Sequence, residues 1–246
     1  MTRGWSRARL AAVTGTVLPP ANAGLMADRA RSGQVRRRQI DLATRRAGTG
    51  PALRARQLQI RNPVLRGLAR AAGIRTRDQA WRIGATGEVK VGARLNRLRR
   101  HGWRVLHSIP LGRGGDIDHL IIGPGGVFTA NTKHHPNARV KVGDRVVFVR
   151  GCQVTYIGKA LREASRVQAA LSSALGRAVL VEPLVIIHGA SVFGWLPRRP
   201  RGVKVLPSRA ATWWLRLAGH GSGHLGKADI EALYAAARDP ATWRRA

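Results

Sequence analysis

One cysteine, Cys152, stands in the whole chain, so neither an intrachain disulfide nor a multi-cysteine metal site can form within it. Cys152 is expected as a small, half-buried residue. Acidic residues are scarce too: 12 Asp plus Glu against 44 Lys plus Arg, a formal charge of +32. A compact state with that imbalance repels itself, and a polyanionic partner relieves the repulsion; nucleic acid and an anionic membrane surface both qualify. Lysine is rare as well. Only Lys90, Lys133, Lys141, Lys159, Lys204 and Lys227 occur, and every other basic residue is arginine. With so much Ala and Gly, that points to GC-rich coding, which inflates the charge without changing its sign. No run of about 18 apolar residues is present, so no membrane-spanning helix is expected. The opening MTRGWSRAR, followed by LAAVTGTVLPPANA, imitates a signal peptide, but its apolar part is short and broken by Pro19-Pro20. The expected location is the cytoplasm.

What is there divides into two textures. Residues 1–80 hold 17 arginines, no lysine and three acids (Asp28, Asp41, Asp78), with sparse apolar residues in no sustained period. They are expected as a basic, poorly ordered arm, with a short helix over 53–62 stopped by Pro63. A solvated linker reads the same way. Residues 81–246 are expected to form the folded domain. There, 84–101 has helical spacing and ends at His101-Gly102. Strand-like runs follow at 103–109, 117–122, 127–132 and 146–149, broken by Gly-rich turns. A second amphipathic helix is expected over 158–175, a buried strand over 179–187, a short strand over 203–206, and closing helices near 210–218 and 227–238. The order predicts an α/β (α+β) core with the sheet in the middle.

The chemistry concentrates in a hairpin and a helix face. Runs 117–122 and 127–132 are joined by Gly123-Pro124-Gly125-Gly126. Pairing Ile122 with Val127 sets Asp118 opposite Asn131 and Asp116 opposite Lys133, so four polar residues share one face beside Leu120, Ile122 and Val127. On the first helix, Glu88, Val91, Leu95 and Leu98 recur at steps of three and four, which turns Glu88 inward; Lys90, Arg94 and Arg97 face solvent. An inward carboxylate costs free energy unless it is paired or binds a cation. On the second helix, Leu161, Ala164, Gln168, Leu171 and Leu175 form an apolar stripe with Gln168 as its polar exception. A glutamate, an aspartate, a third oxygen donor and a lysine around one spot suit Mg²⁺, or Mn²⁺, and a phosphodiester.

The segments GATGEVKVGARLNRL and GGDIDHLIIGPGGVFTANTKHH, with the helix containing Gln168, resemble the nuclease-related domain (NERD) family of the PD-(D/E)XK nuclease superfamily. The resemblance covers residues 84–190, and IDHLIIGPGGVF is its specific part. It implies a restriction-endonuclease-like core, a central mixed sheet flanked by helices, and a metal-dependent nuclease acting on DNA. By that resemblance Glu88 is the helix carboxylate, Asp118 the strand carboxylate, Lys133 the motif lysine and Gln168 the polar position on the following helix. Asn131 departs from the motif, which wants Asp or Glu two residues before the lysine. Asn can ligate through its amide oxygen but brings no charge.

Two outcomes stay open. Either Glu88, Asp118 and Asn131 still hold the metal and the domain cleaves, or cleavage is lost and the fold binds nucleic acid. His134, His135, Arg94 and Arg97 are candidate backbone contacts in both. A third reading puts the basic arm on an anionic membrane. Among the histidines, His119 should point away from Asp118, since strand neighbours alternate faces, and a zinc site is disfavoured. Trp213-Trp214 is expected to pack its helix on the core rather than stack on bases. GSGHLGK (221–227) lacks the Ser/Thr of a P-loop and is expected as a linker, and RRPR (198–201) as a basic turn.

Overall fold

The computed structural model describes residues 41–50, 52, 77–112, 114–219 and 225–246. Most of the expected basic arm, the short helix expected over 53–62, and residues 221–224 of the linker lie outside these residues. Among them the strands are, in chain order, β1 (Arg104–Pro110), β2 (Asp116–Gly123), β3 (Gly126–His134), β4 (Arg139–Val142), β5 (Val147–Val149), β6 (Cys152–Val154), β7 (Val181–His188), β8 (Val192–Trp195) and β9 (Lys204–Pro207). The α-helices are α1 (Arg77–Leu95), α2 (Tyr156–Leu175), α3 (Ser208–Ala218) and α4 (Lys227–Arg238).

Five strands form a mixed sheet of order β1-β2-β3-β7-β9. β1, β2 and β3 are antiparallel neighbours, and the β2–β3 hairpin takes the expected register with Ile122 opposite Val127. β7 runs parallel to β3, and β9 parallel to β7. The apolar run of β7 fits a strand covered on both faces, and Leu184, Val185, Ile186 and Ile187 are all buried. Alternation along β2 sorts the layers. Ile121 joins Val105, Phe128 and Ala130 under α1 and α3, where Val91, Leu95, Ala211 and Leu215 pack. Leu120 and Ile122 join Leu106 and Val127 under α2 and α4, against Ala164, Val167, Leu171, Ile230 and Leu233. The architecture is thus α/β, a central mixed sheet flanked by helices.

A second sheet, order β6-β5-β4-β8, packs Val140, Val142 and Val147 against Ile157 and Ala160 at the start of α2. Of its strands only β5 is anticipated by the apolar pattern. β4, β6 and β8 are three or four residues long, too short to display an alternation. Cys152, on edge strand β6, is exposed rather than half-buried. Trp214 packs edge-on against Phe128 at 5.6 Å between ring centroids, as expected, while Trp213 is exposed. In the basic turn, Arg199 lies over the Trp195 ring, 5.0 Å from its centroid.

One stretch expected in the arm belongs to the fold. Residues 41–50 lie in the same compact unit as the sheet. Leu42 is 2% exposed in the α2 and α4 core, and the Asp41 carboxylate pairs with the Arg238 guanidinium. A single apolar anchor among arginines leaves no period to read, which is why composition alone assigns the segment to the arm.

Candidate active site

The site forms where the middle of α1 meets the start of β2 and the end of β3. Its backbone spacing depends on Gly87. A Cβ there would sit 2.5 Å from the His134 Cβ, so only glycine lets α1 approach the end of β3 this closely. The next residue, Glu88, is thereby turned inward and is 6% exposed, on the face shared with Val91, Leu95 and Leu98.

Glu88 is the most perturbed carboxyl of the site. Burial, and after it the Asp118 charge, push its pKa up to about 9, against the pull of Lys133 and a hydrogen bond donated by the Gly48 amide. Its Oε2 is buried without a hydrogen-bond partner among the described residues. Burial likewise raises Asp118, to about 6, opposed chiefly by Lys133. The Thr132 N–H donates to Asp118 Oδ2 at 2.6 Å and fixes that carboxylate on the sheet. Burial lowers the Lys133 pKa, with Asp118 acting the other way. Asp116 also acts on Glu88, and it abuts Gly50, where a Cβ would come within 2.5 Å of Asp116 Oδ2.

Asn131 sits between opposite charges. Lys133 Nζ donates to its Oδ1, and its Nδ2 donates to Glu163 Oε2 at 2.5 Å. The neighbours dictate the orientation of the amide, since a flip would set NH₂ against ammonium and oxygen against carboxylate. Asn131, expected as a metal ligand, therefore spends its oxygen on the lysine. Glu163, 8% exposed and bridged at 3.5 Å to Lys159, supplies the negative charge that Asn131 lacks.

Glu88, Asp118, Asn131 and Lys133 are thus brought together, and Gln168 is not. Gln168 is exposed, and its Oε1 accepts from the Val181 N–H at 3.2 Å, holding the start of β7. The buried row of α2 runs through Ile157, Ala160, Glu163, Ala164, Val167 and Leu171; of the stripe expected, Ala164 and Leu171 are buried and Leu175 packs on the core, while Leu161 is 40% exposed. Glu163 and the Gly48 amide are the site groups the sequence did not reveal. The signal for Glu163 was its place three residues after Ala160 and four before Val167. Nothing in the sequence marked Gly48.

Of the candidate nucleic-acid contacts, Arg97 is exposed. Arg94 is half-buried and donates to Ser208 Oγ at 2.6 Å, so it does not simply face solvent. His134 donates from Nδ1 to the Ile83 carbonyl at 2.8 Å. His135 stacks on Tyr156, with Nε2 2.8 Å from its hydroxyl. His119 does point away from Asp118, into a buried chain. Its Nε2 lies 3.1 Å from Thr132 Oγ1, its Nδ1 2.8 Å from His107 Nδ1, and His107 Nε2 3.0 Å from Asn96 Oδ1. An amide oxygen only accepts, so the proton on His107 sits at Nε2 and its Nδ1 accepts from His119. His119 Nε2 then accepts from the Thr132 hydroxyl. Burial lowers His107 to about 4 and His119 well below its ordinary value, so both are neutral.

Among the described residues, no three His, Cys, Asp or Glu side chains are grouped so as to hold a metal by themselves. An Mg²⁺-like ion does not require three, because it keeps several waters and uses one or two carboxylates with substrate phosphates. The orphaned Glu88 oxygen beside Asp118 fits such an ion. Neither the curated proteins nor the solved structures give a match to this chain. Residues 83–188 match the family model described as nuclease-related domain, the same stretch that carries Glu88, Asp118, Asn131, Lys133 and Glu163. Over those residues, which make up under half of the chain, it is similar to the nuclease-related domain (NERD) family.

Proposed function

We propose that the domain is a divalent-metal-dependent nuclease hydrolysing phosphodiester bonds in DNA, with Glu88 and Asp118 as the ligands of Mg²⁺ or Mn²⁺ and Lys133 as electrostatic catalyst. The observation that carries this is the buried, unpartnered Glu88 oxygen set beside a second carboxylate. When bound, the ion polarises the phosphoryl group and lowers the pKa of an attacking water. The chain supplies the rest. Thr132 keeps Asp118 oriented through its amide. Asn131 holds the Lys133 ammonium, which stabilises charge developing on the non-bridging phosphate oxygens. Glu163 restrains Asn131 and keeps the local charge near balance.

A plasmid-nicking assay with Mg²⁺, Mn²⁺ or EDTA tests this. The native protein should nick only with metal, and Asp118→Ala and Lys133→Ala should each lose at least about 100-fold, the scale of one catalytic electrostatic contact. Undiminished nicking by Lys133→Ala would remove the assignment. A second reading, a nucleic-acid-binding module without cleavage, is favoured by the commitment of the Asn131 oxygen to Lys133. It predicts no product with either metal, together with DNA binding that weakens steeply with salt.

A further inference from the structure

At the far ends of β3 and β7, outside the carboxylate cluster, four basic residues converge. His134 ends β3 and His188 ends β7; the two are register partners, with ring centroids 5.1 Å apart. Arg94, from α1, donates to Ser208 Oγ, and His188 Nδ1 lies 3.0 Å from the same oxygen. One hydroxyl serves both if it accepts from Arg94 and gives its proton to His188 Nδ1, which leaves the remaining His188 hydrogen on Nε2. Lys90, one turn before Arg94, is exposed, and it acts electrostatically on His188 together with His134 and Arg94. Among the described residues, no acidic residue is among the groups acting on His188. Ser208 also opens α3, whose first turn carries no acid and whose start has no side-chain cap.

Lys90, Arg94 and the α3 N-terminus are of one sign and repel one another, with no counter-charge among the described residues acting on this spot. His188, as acceptor of the Ser208 proton, adds a neutral N–H donor at Nε2. Arg94 has a neutral hydroxyl, not a carboxylate, as its hydrogen-bond partner. An anion resolves the repulsion, and a phosphate suits both the planar guanidinium and the N–H groups at a helix start. His134 directly follows Lys133 on β3 and so points to the other face, toward α1, where its Cβ abuts Gly87; this anion would lie on the α1 and α3 side of the sheet end. We propose that Lys90, Arg94, His134, His188 and the first turn of α3 form a second phosphate site that grips the nucleic-acid backbone on the α1 and α3 side of the sheet end. The proposal rests on nucleic acid being the substrate, but not on cleavage.

Binding of a fluorescent DNA duplex, followed by anisotropy in EDTA over a range of salt, separates the two. Lys90→Glu should weaken binding about tenfold and flatten the salt dependence by about one ionic contact. Lys227→Glu, the same charge change on α4, should shift affinity by no more than about twofold. Equal effects of Lys90→Glu and Lys227→Glu would overturn the proposal, whatever the nicking assay gives. His188→Gln, checked for an unchanged melting temperature, should weaken binding in the same direction as Lys90→Glu. In spectra of histidine ring nitrogens, duplex should move His134 and His188 and leave exposed His101 in place. Movement with inorganic phosphate but none with duplex would assign the site to a small phosphate compound and overturn the backbone assignment.

Discussion

Asn131 is where the site departs from an all-carboxylate design, and its two hydrogen bonds explain how the departure is tolerated. The amide separates an ammonium from a carboxylate, giving each the polarity it needs. Restoring an acid at this position should therefore not simply restore a motif. Asn131→Asp sets a carboxylate against Glu163 and removes the donor Glu163 uses, which should cost about 3 kcal/mol, the scale for an uncompensated buried charge. Glu163→Gln alone should cost about 1–2 kcal/mol. The double variant moves the charge from helix to strand and keeps a donor facing an acceptor, so it should recover at least half of the Asn131→Asp loss. Urea denaturation of the four proteins gives the coupling. Strictly additive losses would mean that the two side chains do not interact as described. From sequence, Asn131 looked like a lost charge. The charge is on Glu163, and its partner across 32 residues could not be read from either segment alone.

At the scale of elements, the packed face of α1 is legible in the sequence, whereas that of α2 is legible only in part, at Ala164 and Leu171, for a physical reason. Glu88 shares its face with three large apolar residues, so only one face can be buried. α2 is rich in alanine, and rows through Leu161 and Gln168 or through Ala160, Glu163 and Val167 both look apolar. Small side chains do not announce which row packs. The sheet decides, because the row that faces it must also meet Asn131. The GATG segment, expected to open a helix at 84, lies instead in the middle of α1, which begins at Arg77. Gly87→Ala drives a methyl into His134 and prises the middle of α1 off β3, taking Glu88 with it. Its cost should be about 1–3 kcal/mol, as for overpacking elsewhere. It should also abolish any thermal stabilisation by Mn²⁺, which Gly84→Ala should preserve, since nothing lies within 4 Å of a Cβ there. A Gly87→Ala protein with native melting temperature and native Mn²⁺ response would show that the close approach is dispensable.

For the whole molecule, the buried titratable groups pull stability in opposite directions as pH changes. His107 is lowered from 6.5 to about 4, so it contributes stability that is full above about 6.5 and is lost as pH falls toward 4; His119 acts in the same sense. Asp118 and Glu88 are raised, to about 6 and about 9, so their contribution is full in acid and is lost as pH climbs through those values. Between about pH 4 and 6.5 the two sets offset each other. Above that range Glu88 acts without an opposing histidine, and the metal-free protein should lose stability steadily toward pH 9. A divalent cation should reverse that slope, because it takes the ionised Glu88 and replaces its proton. Melting temperatures from acid to pH 9, in EDTA and in Mg²⁺ or Mn²⁺, should therefore diverge increasingly on the alkaline side. Glu88→Gln should flatten the metal-free decline and remove the divergence, while His107→Gln should alter only the acid limb. A native protein whose alkaline decline is the same in EDTA and in metal would place the cation elsewhere, or nowhere, and would leave Glu88 as a protonated core residue.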